Sequence, residues 1–199
     1  MTTKQTILGV SLQLFMQLGF ESTYMDAIAE KAGVTKPAIY YYFKDKQALF
    51  EASASFFLDQ MAQMMLPDGV EDLPLKELIF AAFGSLPESM SRYQRMSGIE
   101  EPTSLLRSQM FIYDAMTRVP DFRLGIGELY GKSAQLLQQT CERAAAQGQI
   151  RSGIDGSTFG ILVNSMIEGL ILMSMMDPHM NLEILGRKSA ETVWRMVET

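Results

Sequence analysis

Residues 23–43, TYMDAIAEKAGVTKPAIYYYF, are the stretch of sequence that decides the fold of this protein. Thr23 and Thr35 are each placed to cap a short helix, and Gly33 ends the first of these helices in a tight turn. The alanines before the turn leave room for the two helices to cross closely. The stretch therefore predicts a helix-turn-helix, with a second helix that begins after Thr35.

The outward face of this second short helix carries residues for which a protein core has no use: Lys36, Pro37, Tyr40 and Tyr41. Tyrosine hydroxyls and lysine ammonium groups donate to phosphate oxygens, and the small first turn of the helix fits a major groove. Lys46 adds to the pattern, because the dipole at the start of a helix disfavours a cation unless an anion also binds there. This surface predicts binding of double-stranded DNA.

Helical periodicity runs through almost all of the remaining chain, and no stretch alternates as a strand would. A capping box formed by Thr2 and Gln5 begins the first helix, and Gly19 is expected to stop it. Asp45 caps a long fourth helix that reaches about Leu66. Further helices are predicted over 73–91, 105–117, 120–147, 157–176 and 182–198.

These elements predict an all-α fold in two parts. The head, residues 1–46, contains three helices, and the fourth helix joins it to a helical body, residues 47–199. The net charge of the 199 residues is −6, but the first 50 residues carry five lysines and four acidic residues, a balance of +1. The acidic total therefore does not exclude a nucleic-acid partner for the head.

Few residues could support catalysis or a cofactor. Cys141 is the single cysteine, which excludes an intramolecular disulfide and a zinc site built from several cysteines, and this fits a reducing cytoplasm. The single histidine, His179, lies in a predicted turn, so no histidine-based triad or metal cluster is expected. Gln13 and Gln17 interrupt the apolar N-terminal stretch, which argues against a secretory signal. We expect no enzyme activity, no metal, no cofactor and a cytoplasmic location.

An ordered series of short stretches in the head resembles a known family. They are Ile7-Leu8, Leu14-Phe15 with Gly19-Phe20, Met25 to Ala29, Ala32 to Lys36, Ile39 to Phe43, and Lys46 with Leu49-Phe50. In this order they resemble the DNA-binding head of the TetR/AcrR family of bacterial transcriptional regulators. The resemblance covers about a quarter of the chain. Lys4 and Ser11 depart mildly from the commonest pattern, which has arginine and alanine there.

The resemblance implies a role for each matching residue of the head. Lys36, Pro37 and Tyr40 fall where members of the family read DNA bases. The residues that fall where members touch the sugar-phosphate backbone are Thr23, Tyr41, Tyr42 and Lys46. The body matches the family only in plan, since both are entirely helical and end in two apolar helices.

A homodimer is expected, because a single head offers few base contacts and operator symmetry generally mirrors the two-fold symmetry of the protein. The predicted interface is formed by helices 157–176 and 182–198, where Gly160, Ser165 and Gly169 permit close approach. Within the first of these helices, residues 159–176 resemble a membrane span. We interpret this window as a helix buried in protein on most sides, because it contains Glu168 and lacks flanking aromatic residues.

The sixteen methionines are the second indication of function. Unbranched thioethers fill irregular space and repack around varied shapes, which favours an adaptable apolar pocket over a rigid core. The candidate ligand-binding residues are Phe57, Met61, Met65, Phe83, Met110, Tyr113, Asn164 and Glu168. Asn164 and Glu168 could orient a ligand, or they could hydrogen bond to each other or to their symmetry mates.

The sequence thus predicts a dimeric transcriptional regulator. In the preferred interpretation it is a repressor that releases a pseudo-palindromic operator when a small apolar or amphipathic ligand, wedged beside the fourth helix, changes the spacing of the heads. An effector-independent regulator or an activator of the same fold is the near alternative. A small-molecule carrier or an enzyme is the distant one, and it predicts no binding to duplex DNA.

Overall fold

The computed structural model describes residues 2–199, except the side chains of residues 102 and 103, and most of this part of the chain is helical. Its ten α-helices are α1 (Thr3–Ser22), α2 (Met25–Ala32), α3 (Lys36–Tyr42), α4 (Lys46–Met65), α5 (Leu75–Gly84), α6 (Leu86–Ser97), α7 (Gln109–Arg118), α8 (Pro120–Ala146), α9 (Gly156–Met176) and α10 (Leu182–Val197). Short 3-10 helices cover Val70–Asp72 and Pro102–Ser108. No strand occurs among residues 2–199, which confirms the all-α prediction.

The first three helices begin and turn at the residues that the sequence marks. The Thr2 hydroxyl accepts the Gln5 N–H and the Gln5 side chain accepts the Thr2 N–H, which confirms the capping box. Gly19 leaves the helical conformation, with φ 78°, but α1 continues beyond it to Ser22, so the predicted stop is a kink. Gly33 adopts the left-handed conformation, with φ 65°, that turns the chain from α2 into α3.

Two predicted helices differ from the structure. The segment 73–91, predicted as one helix, is divided at Ser85 into α5 and α6. Pro87 lies in the first turn of α6 and has no N–H with which to continue the hydrogen bonding of α5. The segment 105–117 begins as the 3-10 helix Pro102–Ser108 and becomes α-helical only at Gln109.

The chain divides by its internal contacts into two compact units. The first unit contains the described residues up to Met61 together with Arg92–Ile126, and the second contains Ala62–Ser91 together with Gly127–Thr199. The head therefore shares its unit with the first part of α4 and with α7. The domain boundary predicted after residue 46 is not where the contacts divide the chain, and it stays a prediction about function.

A row of phenylalanine rings forms the centre of the first unit. Phe15 of α1 packs against Phe50 of α4, with their ring centroids 4.9 Å apart. Phe111 of α7 follows at 5.4 Å from Phe50 and at 5.4 Å from Phe57. All four side chains are fully buried. Each ring pair adds about 0.5–1.5 kcal/mol beyond the burial of apolar area, so the row ties α1, α4 and α7 together.

Close helix packing characterises the second unit. α10 packs along α5 and against α9. Between α8 and α9 the separation is set by Gly160, where an added Cβ atom would lie 2.6 Å from the Ala134 carbonyl oxygen. Gly160 is therefore buried against its own chain, and its predicted place in a dimer interface is wrong. By contrast, Ser165 is exposed and Gly169 has open space around it.

Helix α9 is the one helix in the described part of the chain that is long and apolar enough to cross a membrane, judged by length and composition alone. Only 22% of its most apolar window is buried inside the chain. The prediction that this helix is buried on most sides is therefore wrong for a single chain. Its large exposed apolar residues are Ile161, Leu162, Met166, Leu172, Met173 and Met176.

We predict opposite effects on stability when two helical glycines are replaced by alanine. Gly160→Ala should destabilise the fold by about 1–3 kcal/mol, because α8 and α9 must separate to accommodate the new methyl group. Gly131→Ala in α8, where nothing lies within 4 Å, should stabilise it by about 0.5–1 kcal/mol through helix propensity. Thermal unfolding at one fixed protein concentration measures both, and equal shifts for the two variants would contradict the packing.

Candidate nucleic-acid interface

Helix α3 turns one side to the core of the first unit and the other side to solvent. Ile39 and Phe43, one helical turn apart, are buried in that core. Tyr40 and Tyr41 are 46% and 82% exposed. The first turn of α3 is exposed as well, and Tyr42 completes the exposed aromatic group. The structure therefore brings six of the predicted contact residues to the surface of the head: Lys36, Pro37, Tyr40, Tyr41, Tyr42 and the partly exposed Lys46.

The first turn of α3 is held by one cap and one ion pair. The Thr35 hydroxyl accepts the Ala38 N–H at 3.4 Å, which confirms Thr35 as the cap. The Lys36 ammonium group donates to Asp26 of α2 at 2.9 Å. This hydrogen bond, with the carboxylate charge, raises the pKa of Lys36 above its ordinary value. An acceptor on a base must therefore compete with Asp26 for the ammonium group.

Lys46, at the start of α4, packs on the bent end of α1. Its ammonium nitrogen lies 4.4 Å from the centroid of the Phe20 ring and donates to the Glu21 carbonyl oxygen at 3.2 Å. Partial burial lowers the pKa of Lys46, and the nearby charge of Arg118 acts in the same direction. The side chain is thus positioned by the protein itself, beside the surface where a phosphate contact is predicted.

Arg118 of α7 contacts the same ring, with its guanidinium carbon 4.4 Å from the centroid. It also forms an ion pair with Glu21 at 2.5 Å. Asp114, one turn earlier in α7, accepts the Phe20 N–H at 3.1 Å. We refer to Phe20, Glu21, Lys46, Asp114 and Arg118 as the Phe20 junction. It connects the ends of α1, α4 and α7 within the first unit.

The hydrogen-bond donors at the start of α4 are more occupied than the sequence suggests. Asp45 caps it as predicted, because its carboxylate accepts the Ala48 N–H at 2.8 Å. This amide is therefore not free, and the Lys46 ammonium already has a carbonyl acceptor. A phosphate at this helix start therefore has fewer free donors than a bare helix start offers, although the ammonium group of Lys46 keeps donors besides the one given to Glu21.

Thr23 is the predicted DNA contact that the structure turns inward. Its side chain is fully buried, and its single hydroxyl hydrogen is shared between the carbonyl oxygens of Gly19, at 2.8 Å, and Leu14, at 3.2 Å. The N-cap of α2 is Tyr24, without a side-chain cap, so the prediction that Thr23 caps this helix is wrong. The hydroxyl closes the kink at Gly19, and it cannot reach a phosphate without giving up both bonds.

The structure adds exposed groups beside α3 that the sequence patterns did not single out. Tyr24 is 68% exposed, and the Lys46 ammonium lies 5.9 Å from its ring centroid. Lys4, at the start of α1, lies 5.9 Å from the ring centroid of Phe43 at the end of α3. Lys44 is exposed directly after that ring. Only the tertiary fold brings Lys4 of α1 close to Phe43, and no local pattern predicts it.

The predicted ligand-binding residues fall in both units. Phe57 and Met61 lie in the first unit, where Phe57 is fully buried among Phe111 and other rings. Met110 and Tyr113 of α7 are 58% and 64% exposed, so they line no enclosed space there. The second unit contains the other four, Met65, Phe83, Asn164 and Glu168. Neither unit by itself gathers the whole set, and a shared pocket stays a prediction.

Asn164 hydrogen bonds to α8, and Glu168 interacts with Tyr130 of the same helix. The Ser133 hydroxyl donates to the Asn164 side chain at 2.9 Å. Tyr130, about one turn away on α8, interacts electrostatically with the Glu168 carboxylate. Burial raises the pKa of Tyr130 strongly, and the Glu168 carboxylate raises it further. Both polar residues of α9 therefore have partners within the second unit.

The exposed surface of the head lies in a segment that matches a known protein family. Residues 7–53 match the family model described as bacterial regulatory proteins, tetR family. The transcriptional regulator AcrR of Shigella flexneri is 56% identical over 48 residues, which are 24% of this chain and 22% of that protein. The transcriptional regulator SrpR of Pseudomonas putida is 22% identical over 184 residues, 92% of this chain and 80% of that protein.

Similarity to solved structures extends over nearly the whole chain. The structure of a complex of SmeT with triclosan superposes with a TM-score of 0.68 and 20% sequence identity, and it covers 99% of this chain and 92% of that one. Identity this low shows a shared fold. The segment matched in AcrR is about a fifth of that regulator, and the family model matches the head and the first residues of α4.

We predict that Thr23→Val destabilises the head without changing its surface. The substitution keeps the shape but removes the hydroxyl that closes the Gly19 kink, which should cost about 1–2 kcal/mol. Urea unfolding measures the loss, and the salt dependence of duplex binding, measured where the variant is folded, should equal that of the native chain. A flatter salt dependence would mean that Thr23 contacts a phosphate directly.

Proposed function

The chain belongs to the TetR family of bacterial regulatory proteins, and from this premise we propose that it is a transcriptional repressor that binds a pseudo-palindromic operator as a homodimer. In this proposal a small apolar or amphipathic molecule binds the body and releases the operator. The protein acts in the cytoplasm, where it meets the DNA. The relatives named above are transcriptional regulators, which agrees with a role that is not enzymatic.

The observation that carries the proposal is the division of α3 into a buried and an exposed side. Because Ile39 and Phe43 are locked in the core, Lys36 and Tyr40 cannot turn away from solvent. A short helix that is fixed to a rigid core and presents hydrogen-bond donors to solvent is suited to bind in a major groove. We assign base reading to Lys36, Pro37 and Tyr40, and backbone contacts to Tyr41, Tyr42 and Lys46.

The exposed apolar side of α9 supports a homodimer. Large residues such as Ile161, Leu162 and Met173 are exposed in the single chain, on a helix with few charges. A contiguous apolar surface of this kind marks an interaction site in a soluble protein. Gly169 has open space around it, which would let a second copy of α9 approach closely. Two heads held in this way could bind two operator half-sites about one helical turn, roughly 34–36 Å, apart.

The proposal of an effector is supported by the methionine content of the chain and by one solved structure that shares its fold. SmeT, which shares the fold, has been solved as a complex with triclosan. This chain has sixteen methionines, whose flexible thioethers suit a pocket that adapts to its ligand. Operator DNA and effector must weaken each other's binding by the same factor, because their coupling is reciprocal.

We predict that substitutions of the base-reading residues and of the backbone-contact residues have different effects on DNA binding. Lys36→Ala and Tyr40→Phe should each reduce the preference for operator over random duplex, by about 1–3 kcal/mol for the lysine. Lys46→Ala should weaken both duplexes alike and reduce the slope of log affinity against log salt by about 1. Fluorescence anisotropy over a salt series measures these effects, beginning in dilute buffer.

Lys132→Ala, an exposed lysine of α8, is the matched control and should change neither quantity. If all three head variants alter operator and random DNA equally, the assignment of roles is wrong. If the native chain binds no duplex at low salt, the proposed function itself fails.

A second prediction concerns the dimer. Gly169→Arg should yield monomers, because the new side chain occupies the open face of α9 where a second chain is expected. Sedimentation velocity measures the change, and Gly131→Arg on α8 is the control that should remain dimeric. A tight dimer with Gly169→Arg would mean that the interface lies elsewhere.

A further inference from the structure

Glu21, at the end of α1, offers two acceptors of different charge close to Lys46. Its backbone carbonyl oxygen accepts the Lys46 ammonium group at 3.2 Å. Its side-chain carboxylate pairs instead with the Arg118 guanidinium group of α7, at 2.5 Å. The carboxylate thus belongs to a residue whose backbone already contacts the ammonium group, yet it is held by a different cation.

Arg118 is itself held by contacts that do not involve Lys46. Its guanidinium group packs on the Phe20 ring, 4.4 Å from the centroid, and lies 3.8 Å from the carboxylate of Asp114, one turn earlier in α7. The Arg118 side chain is 35% exposed, whereas that of Glu21 is 77% exposed. A guanidinium group is planar and presents its donors in a fixed geometry, so it orients a carboxylate that pairs with it. Arg118 therefore sets the direction in which the Glu21 carboxylate points.

A Glu21 carboxylate released from Arg118 would compete with DNA for Lys46. The Lys46 ammonium group lies 4.4 Å from the centroid of the Phe20 ring, where partial burial strengthens its attraction to an anion. A carboxylate paired with it would cancel the charge that a phosphate requires and would also repel the phosphate. Burial lowers the pKa of Lys46, and of the two charges beside it Glu21 raises that pKa while Arg118 lowers it.

We propose that Arg118 is a positioning residue for DNA binding, which holds the Glu21 carboxylate away from Lys46 and so keeps the ammonium group available to a phosphate. Arg118 acts through Glu21 and needs no contact with DNA. This role rests on the proposed function, in which Lys46 contacts the sugar-phosphate backbone. It gives a residue of α7, outside the head, a part in the affinity of the head for DNA.

The role of Arg118 is tested by removing it with and without the Glu21 carboxylate. Fluorescence anisotropy over a salt series measures binding of the full chain to a duplex of random sequence. Arg118→Ala should weaken binding by up to about tenfold and flatten the slope of log affinity against log salt by up to about 1, because Lys46 becomes paired with Glu21. Adding Glu21→Gln to Arg118→Ala should restore both quantities. Glu21→Gln cannot restore the lost ion pair, so a folding defect of Arg118→Ala would not be repaired in this way.

The matched control is Arg118→Ala with Glu30→Gln, which removes an exposed carboxylate from α2 and has the same net charge as the Glu21 double variant. It should bind DNA as weakly as Arg118→Ala, because the Glu21 carboxylate still occupies Lys46. The proposal is overturned if Arg118→Ala binds as the native chain does, if Glu21→Gln fails to restore binding, or if Glu30→Gln restores it equally well.

A measurement without DNA separates this proposal from the proposed function. The carbon signals of the Lys46 side chain, followed by NMR as the pH is raised, report the pKa of Lys46 in the free chain. Glu21→Gln should lower this pKa more in the Arg118→Ala chain than in the native chain, because the carboxylate pairs with Lys46 only when Arg118 is absent. Equal effects in the two chains contradict the positioning role. If the effects differ as expected but the native chain binds no duplex at low salt, the proposed function fails and the control of Glu21 by Arg118 stands.

Discussion

The burial of Ile39 and Phe43 in the phenylalanine core is the constraint on which the surface of the head depends. Ile39 lies within the seven-residue helix α3 and Phe43 caps its end, and with both side chains buried, Lys36, Pro37 and the three tyrosines of α3 face solvent. The core that receives them is continuous with Phe15, Phe50 and Phe57. Because rings from α1, α4 and α7 meet there, the orientation of α3 is set by the whole unit.

The Phe20 junction is a group of polar contacts at the edge of this core, close to the proposed DNA-binding surface. Two cations contact a single ring, and their charges are balanced by the carboxylates of Glu21 and Asp114. The position and the pKa of Lys46 therefore depend on groups from α1 and α7. A movement of α7 would change the surroundings of Lys46 directly. This is a physical route by which an event in the body could reach Lys46, the proposed backbone contact of the head.

Much of the fold could be predicted because its signals are local. The capping box of Thr2 with Gln5, the turn at Gly33 and the caps Thr35 and Asp45 depend on residues within one or two turns. The division at Ser85 was missed because Pro87, in the middle of an amphipathic pattern, interrupts the hydrogen bonds but leaves the apolar period intact. Gly160 was placed in the wrong interface because a small residue signals close packing but does not identify the partner.

By itself, the sequence determined that the chain is all-helical and that a lysine and tyrosine surface lies opposite the buried side of α3, because periodicity and capping act over short distances. The tertiary structure alone decided the partners of polar groups that bond outside their own helix. It placed Lys46 on Phe20 and paired Asn164 with Ser133 of α8. These outcomes depend on contacts between residues far apart in the chain, and a local pattern carries no information about them.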